Sequence, residues 1–141
     1  MKETPEARSR IMRAVKSSDT VPELIVRRMV HALGYRFRLH RKDLPGKPDL
    51  TFPRLRRVIF VHGCFWHGHP CARGCRIPVN NREYWTTKIG RNRKRDERVR
   101  KALRALGWGY LSIWECQLNK PAAALKIIAR FLDRAAIGNL P

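Results

Sequence analysis

The segment from residue 58 to residue 71 constrains this chain more than any other. It opens with four consecutive β-formers, Val58 to Val61, and runs directly into three histidines and two cysteines: His62, Cys64, His67, His69 and Cys71. An unbroken apolar run of this kind is typical of a strand that is buried on both faces. We therefore predict a central strand over residues 57–62, with metal ligands and bases placed on a rigid element at its end.

The preceding segments predict a helix and a hairpin. Thr20 and Glu23 have the spacing of a capping box, and apolar residues recur at helical spacing up to Leu33, before Gly34. The alternation from Tyr35 to His40 predicts a half-buried strand. Residues 49–52 and 57–62 then predict a hairpin whose open end carries Asp49, close to His62.

The following segments complete an α/β pattern. We expect a loop over 63–80, a helix over 81–106 in which Gly90 is a candidate break, a strand over 108–114 and a helix over 121–132. A further basic helix is expected near Thr4 to Lys16, either as a mobile DNA-contacting arm (residues 1–18) or docked by Ile11 and Val15. The predicted fold is a single domain (1–141) with one mixed central β-sheet flanked by helices.

Charge is the strongest property of the whole chain. Its 31 Lys and Arg against 11 Asp and Glu give a net charge of +20, which favours a polyanion binder over a merely solvated surface. No apolar run approaches membrane-spanning length and the N-terminus has no signal-peptide core, so we expect a cytoplasmic, nucleoid-associated protein. Four cysteines in a reducing compartment, three of them close together near histidines, indicate a metal site rather than disulfides.

The cysteine and histidine spacing predicts a structural zinc site. Cys64, His69 and Cys71 offer three ligands, and a thiolate from Cys116, at the end of the last strand, would complete a tetrahedron that ties the loop to the sheet. Cys75 is the rival fourth ligand. Four protein ligands leave no open position for catalysis, and the His-x-Glu signature of zinc deaminases is absent.

Asp49, His62 and His67 remain as candidates for hydrolytic chemistry. Asp49 lies on a strand and could hold a Mg²⁺ ion that polarises a phosphate, unless it is only a turn or capping residue. His67 is the preferred general base, His62 would assist it, and Asp96 could orient one of the two rings. From spacing alone, Asp96 fits a helix salt bridge with Arg93 or Arg100 better. No acid is followed two residues later by Lys, so histidines would replace the lysine of common nucleases.

Two adjacent aromatic residues point to nucleic acid. Phe65 and Trp66 cannot both follow one strand face into a core, so in a Gly-flanked loop they predict a wedge between bases, which Trp85 could join. Unstacking is easier at a mismatch, so a wedge would select weakened steps. The alternative is that these rings only cover the zinc site.

These motifs together resemble the very short patch repair endonucleases, the bacterial nickases of T:G mismatches. The likeness extends over nearly the whole chain and rests on residues 8–15, 44–49, 58–71, 84–92, 96 and 106–116. It implies a restriction-endonuclease-like fold and Mg²⁺-dependent nicking on the 5′ side of the mismatched T. Its substrate would be double-stranded DNA in which 5-methylcytosine has deaminated, which links it to a cytosine-5 DNA methyltransferase. We expect a monomer.

The resemblance also implies roles for individual residues. Magnesium would be bound by Asp49 and the main-chain oxygen of Val61, with base or acid roles for His62 and His67 and support from Glu23 and Asp96. Zinc would be bound by Cys64, His69, Cys71 and Cys116, and the DNA wedge would consist of Phe65, Trp66 and Trp85 on one side and Met12 on the other. Some members have Thr at the position of Val61, and the loop that contains Cys75 is about one residue longer than in some relatives.

Two other functions compete with this one. A non-catalytic zinc protein that binds distorted nucleic acid would bind DNA without cutting it, and its affinity would fall steeply with salt. A restriction-type endonuclease would cut both strands of intact DNA.

Overall fold

A computed structural model describes residues 20–71 and 79–138, with side chains described up to residue 133. The elements are α1 (Val21–Ala32), β1 (Arg38–Leu39), β2 (Leu50–Phe52), β3 (Arg57–His62), α2 (Arg82–Ala105), β4 (Gly109–Trp114), a 3-10 helix (Glu115–Asn119) and α3 (Pro121–Gly138). The predicted N-terminal helix and arm, which contain Met12, and the rival ligand Cys75 lie outside these ranges.

The strands form one mixed sheet in the order β1-β2-β3-β4. β2 and β3 form the expected antiparallel hairpin, with Leu50 opposite Ile59. β3 and β4 are parallel along their whole length, from Arg57 opposite Gly109 to His62 opposite Trp114. Parallel neighbours need a long crossover, and α2 provides it. The prediction of a mixed sheet flanked by helices is confirmed.

The central strand is buried on both faces because helices cover both. Ile59 faces a core that includes Val26 of α1 and Ile128 of α3. Val58 and Phe60 point the other way and pack in a second cluster with Leu103 of α2. Burying each such side chain stabilises the fold by about 1.5–3 kcal/mol. Both layers therefore hold β3 rigid up to His62.

Two details differ from the predictions. The half-buried strand expected over 35–40 is only two residues long, because the Tyr35 amide still donates to the Val30 carbonyl of α1 at 3.3 Å and His40, with a φ of +46°, ends the extended backbone. The rings of Tyr35 and Phe37 pack edge-on against Phe52, at 6.5 and 6.4 Å between centroids. Gly90 does not break the long helix, which runs unbroken through it. A single glycine inside a helix costs only about 1 kcal/mol, which the packing of its neighbours offsets.

Thr20 caps α1 as predicted. Its hydroxyl oxygen accepts a hydrogen bond from the Glu23 amide at 3.4 Å. The Glu23 carboxylate is directed to other partners, which are described below.

None of the helices in the described ranges is both long enough and apolar enough to cross a membrane.

Candidate metal and catalytic centre

The loop after β3 is tightly folded by its own backbone. The His67 amide donates to the Gly63 carbonyl at 3.3 Å, and the His69 amide donates to the Cys64 carbonyl at 3.0 Å. Gly68 has a φ of +63°, and a Cβ at this position would lie 2.7 Å from the Cγ2 of Ile89 on α2. Only glycine fits this turn without strain, so Gly68 lets the two flanking histidines point to different clusters.

The first cluster consists of thiols and one imidazole. This thiol cluster consists of Cys64, His69, Cys71 and Cys116. One ligand atom from each of these four residues lies within 4.8 Å of the ligand atoms of the other three. The Sγ of Cys116 is 3.6 Å from the Nδ1 of His69. Tetrahedral zinc, with bonds of about 2.0–2.3 Å, requires ligand separations of roughly 3.5–3.8 Å. The geometry therefore fits a four-coordinate metal. The cluster brings the loop together with the end of β4, which Cys116 follows.

The surroundings of the thiol cluster also suit a metal. Cys64 is fully buried, and burial raises the pKa of its thiol to about 12, an effect to which the nearby thiol of Cys116 adds. A bound cation would offset that penalty by stabilising thiolates. The ring of Trp114 stacks on the ring of His69, with centroids 4.2 Å apart, and so fixes the orientation of the imidazole.

The second cluster contains His62, His67 and Asp96. The two rings lie 4.0 Å apart between centroids. The Nδ1 of His67 is 2.6 Å from the Oδ2 of Asp96, which α2 brings across the loop. Asp96 thus contacts a histidine, as one of the two sequence interpretations expected.

Electrostatics separate the two histidines. Burial lowers the pKa of His62 to about 3, and the nearby His67 adds to the effect, so the His62 ring is neutral at neutral pH. Burial by itself would raise the pKa of Asp96, but the hydrogen bond with His67 and that ring's charge outweigh it, and the pKa lies below its usual value. Asp96 is therefore a carboxylate that can orient His67.

The third cluster contains Glu23, His40 and Asp49. Asp49 accepts a hydrogen bond from the Val61 amide at 2.6 Å, which joins the two strands of the hairpin at its open end. Burial raises the pKa of Asp49 to about 7, and the neighbouring Glu23 carboxylate contributes, whereas the Val61 amide opposes the shift. A buried carboxylate beside a half-buried one favours a hard cation that takes oxygen ligands, such as Mg²⁺.

The residues predicted to carry out hydrolysis, Asp49, His62 and His67, are thus divided between two clusters. Asp49 bonds to the residue before His62, but its carboxylate groups with Glu23 and His40, whereas His62 groups with His67 and Asp96. The last two residues of β3 reach both clusters, because the Val61 amide donates to Asp49 and His62 is a member of the second cluster. The two clusters therefore lie at the same end of the strand.

The aromatic residues form a cluster of their own. Phe65, Trp66 and Trp85 meet edge-to-face with centroids 5.3–5.6 Å apart, and all three are half-buried. The ammonium of Lys88 lies 5.4 Å from the centroid of Trp66. Asn92 donates to the Trp66 carbonyl at 2.8 Å and so ties the loop to α2. In the described residues, Trp114 is the ring stacked on the thiol cluster, and these three rings form a separate group.

Sequence reasoning missed two residues of these clusters. His40 was considered only as part of an alternating strand, although its position opposite Asp49 followed from pairing β1 with β2. Trp114 was considered only as the end of a β-rich run. Its place next to Cys116, a predicted ligand, was the available signal.

Comparison with known proteins identifies the class. The chain is 49% identical over 130 residues to the type II nicking enzyme V.XorIIP of Xanthomonas oryzae, covering 92% of this chain and 95% of that protein. It is 36% identical over 129 residues to the type II nicking enzyme V.NmeAIP of Neisseria meningitidis, covering 92% of this chain and 91% of that one. The protein is therefore a DNA endonuclease.

The family follows from two further matches. A family model described as DNA mismatch endonuclease Vsr matches residues 2–73. The DNA mismatch endonuclease Vsr of Escherichia coli is 42% identical over 112 residues, which cover 79% of this chain and 71% of that protein. The chain belongs to the Vsr family of DNA mismatch endonucleases.

Proposed function

We propose that this protein is a Mg²⁺-dependent nickase that cuts one strand of double-stranded DNA on the 5′ side of the T in a T:G mismatch. The observation that carries the proposal is the end of β3, where a cluster with two carboxylates and a cluster with two histidines share one strand terminus. Cation-assisted phosphodiester hydrolysis needs both kinds of group, a cation site and a base.

Asp49 and the main-chain oxygen of Val61 would bind the magnesium ion, with Glu23 in support. The raised pKa of Asp49 supports this assignment, because a partly buried carboxylate beside another is stabilised when a cation joins them. When bound, the ion would polarise the scissile phosphate and stabilise its developing charge. The role of the protein is to hold the two carboxylates at one point.

His67 would remove the proton from the attacking water. Its hydrogen bond to Asp96 keeps a proton on Nδ1, which makes Nε2 the proton acceptor of the ring. His62, with a pKa of about 3, holds a proton too weakly to be an effective base near pH 7. We assign to His62 a supporting role as a neutral hydrogen-bonding partner of the phosphate or the leaving group.

The thiol cluster would bind a structural zinc ion through Cys64, His69, Cys71 and Cys116. Its function would be to fix the loop that carries His67, because the described part of this loop contributes only Cys64 to the fully buried core. Structural zinc can supply folding free energy on the order of 10 kcal/mol in small domains.

The aromatic cluster of Phe65, Trp66 and Trp85 would insert at the mismatch, with Met12 on the opposite side of the DNA. Half-buried rings beside the Lys88 ammonium suit a surface that meets bases and phosphates together. A weakened T:G step is easier to open than a paired step, which would give selectivity.

The substrate would arise when 5-methylcytosine deaminates, which links the enzyme to a cytosine-5 DNA methyltransferase. We further propose a restriction-endonuclease-like single domain that acts as a monomer, with residues 1–18 as a DNA-contacting arm. The site of action would be the cytoplasm, at the nucleoid, where such DNA lies.

A nicking assay tests the proposal. Duplexes with one T:G mismatch and matched T:A controls, each end-labelled on either strand, are incubated with Mg²⁺ and separated on denaturing and native gels. We expect one product on the denaturing gel, from the T strand of the mismatched duplex, and intact duplex on the native gel. Equal cutting of T:A would contradict mismatch specificity. Double-strand products would indicate a restriction-type enzyme, and binding without cutting would indicate a non-catalytic zinc protein.

A further inference from the structure

His40 lies against both carboxylates of the proposed magnesium site. Its Nε2 is 3.1 Å from the Oε2 of Glu23 and 3.8 Å from the Oδ1 of Asp49. The first distance is a hydrogen bond and the second is a close polar contact. The His40 side chain is 30% exposed, whereas that of Glu23 is 4% exposed. A half-exposed ring therefore contacts a carboxylate that is almost completely removed from solvent.

The backbone delivers this ring with little freedom. Leu39 pairs with Leu50, which places His40 opposite Asp49 at the end of the β1–β2 ladder. The His40 amide approaches the Asp49 carbonyl at 3.4 Å. His40 has a φ of +46°, a left-handed conformation that ends the strand and is uncommon for residues other than glycine and asparagine. The chain thus tolerates an unfavourable conformation at the residue whose ring reaches Glu23.

We infer that His40 is a positioning residue that holds Glu23 beside Asp49 and thereby sets the affinity of the pair for a divalent cation. Arg27 supplies a second hydrogen bond, at 3.2 Å, to the same Oε2 of Glu23. His40 and Arg27 approach from different elements, so together they fix this oxygen. The inference rests on the proposed magnesium site.

The physical reason is the repulsion between the buried carboxylate of Glu23 and the half-buried carboxylate of Asp49. Without a donor between them, the side chain of Glu23 would turn away from Asp49 when both are ionised. A hydrogen bond to a charged group restrains it, and loss of such a bond lowers affinity by about tenfold or more. Imidazole is a poor ligand for Mg²⁺, which prefers oxygen, so His40 acts through the carboxylates.

Two substitutions separate the side chain from the backbone. His40→Gln keeps an N–H donor at nearly the reach of Nε2 but has no preference for positive φ. His40→Asn tolerates the left-handed conformation but is too short to reach Glu23. If the N–H donor of His40 matters, His40→Gln preserves Mg²⁺ affinity and His40→Asn does not. If the backbone conformation matters instead, the reverse is expected.

The experiment measures Mg²⁺ affinity in two ways. The first is the Mg²⁺ concentration that gives half-maximal nicking of a T:G duplex, and the second is the rise in Tm on adding Mg²⁺ without DNA. For His40→Asn we expect about a tenfold higher Mg²⁺ requirement, a smaller effect on the maximal rate, and a smaller Tm rise. For His40→Gln both values should stay within about threefold of the unsubstituted protein.

Three outcomes would overturn the inference: unchanged Mg²⁺ dependence in both variants, equal impairment of both, or impairment of Gln alone. The unsubstituted protein and Asp49→Ala are measured in parallel. Cleavage without Mg²⁺, or full activity in Asp49→Ala, would refute the proposed magnesium site itself. A magnesium requirement that depends on Asp49 but is unaffected at His40 would refute only the positioning role.

Discussion

At the residue scale, the two histidines next to β3 differ in how they can use a proton. Their rings lie 4.0 Å apart, but only His67 has a hydrogen bond to Asp96 among the described contacts. His62 is 8% exposed and stacks on Phe60, and its burial keeps the ring neutral by lowering its pKa to about 3. A neutral ring beside a carboxylate-oriented ring supports the proposed base role of His67 and the proposed supporting role of His62.

The Asp96–His67 hydrogen bond gives a direct prediction. Asp96→Asn should lower the nicking rate on a T:G duplex by about 10²-fold, because the amide no longer orients His67 or stabilises its protonated form. DNA affinity should change little. The rate is measured under single-turnover conditions with saturating Mg²⁺.

Glu97→Gln is the matched control for this substitution. Glu97 is the next residue on α2, is 60% exposed and pairs with Lys101 at 3.4 Å. Exposed pairs of this kind contribute little to stability. Its nicking rate should stay within about twofold of the parent. A similar loss in both variants would mean that the helix, rather than the hydrogen bond to His67, determines the rate.

The raised pKa of Asp49 predicts a pH-dependent stability in magnesium-free buffer. The folded state holds this proton up to about pH 7, whereas the unfolded chain releases it near pH 4, so folding loses free energy as pH rises between these values. Asp49→Asn removes that titration. The stability of the variant relative to the parent should therefore rise by about 2–4 kcal/mol from pH 4 to pH 7.

Denaturant unfolding at several pH values measures this difference. The low pKa of His62 destabilises both proteins as the pH falls below about 6.5, so it cancels in the comparison. Adding Mg²⁺ at pH 7.5 should reduce the advantage of the variant, because only the carboxylate gains from the cation. A difference that does not change with pH would show that Asp49 has no raised pKa.

At the element scale, one strand and one helix organise the site. β3 delivers Val61 and His62 to opposite faces of the sheet, and α2 brings Asn92 and Asp96 across the loop to fix it. The 3-10 helix after β4 begins at Glu115, whose carboxylate accepts from the Cys64 amide at 3.4 Å. The loop is therefore held from three sides by regular structure.

The thiol cluster predicts which cysteine matters. Cys116→Ser should lose the bound zinc and lower the Tm by roughly 10 °C or more, because loss of a ligand releases the loop from the end of β4. Cys75→Ser should keep one equivalent of zinc and the parental Tm. Zinc content by atomic absorption and thermal unfolding test both variants. The opposite pattern would make Cys75 the fourth ligand.

Local patterns predicted most elements but not how the site is divided. Thr20 marks the start of α1 and Gly34 follows its end, as expected. The β-formers of β3 predicted that this strand is buried on both faces. The grouping of Asp49 with Glu23 and His40 depends on contacts between α1 and the β1–β2 ladder, which are far apart in sequence. Spacing along the chain carries no information about such contacts, so the carboxylate cluster was expected only in part.

At the scale of the whole molecule, the net charge of +20 is unevenly distributed. α2 concentrates arginines, and a groove along it, lined by residues between 81 and 98, includes Lys88, Arg91, Arg95 and Arg98. These positions follow one stripe of the helix, and Lys88 is also the residue beside the aromatic cluster. We therefore expect DNA phosphates to lie along this stripe as they leave the site.

The salt dependence of DNA binding distinguishes phosphate contacts along this stripe from attraction by the net charge of the protein. Arg91→Gln with Arg98→Gln should reduce the slope of log Kd against log salt by about 2 for a T:G duplex, since each phosphate contact contributes about 0.9. Lys126→Gln with Arg130→Gln removes the same charge from the exposed face of α3 and should change the slope little. Equal effects of the two pairs would show that only net charge matters.

The proposed function depends above all on Asp49 binding the cation that makes nicking possible. The most direct measurement is single-turnover nicking of a T:G duplex by the parent and by Asp49→Ala, each titrated with Mg²⁺, with binding of the same duplex measured in parallel. We expect rates that rise with Mg²⁺ only in the parent, a loss of at least about 10³-fold in the variant, and similar DNA binding in both. Mg²⁺-dependent nicking by Asp49→Ala at the parental rate would contradict this role of Asp49.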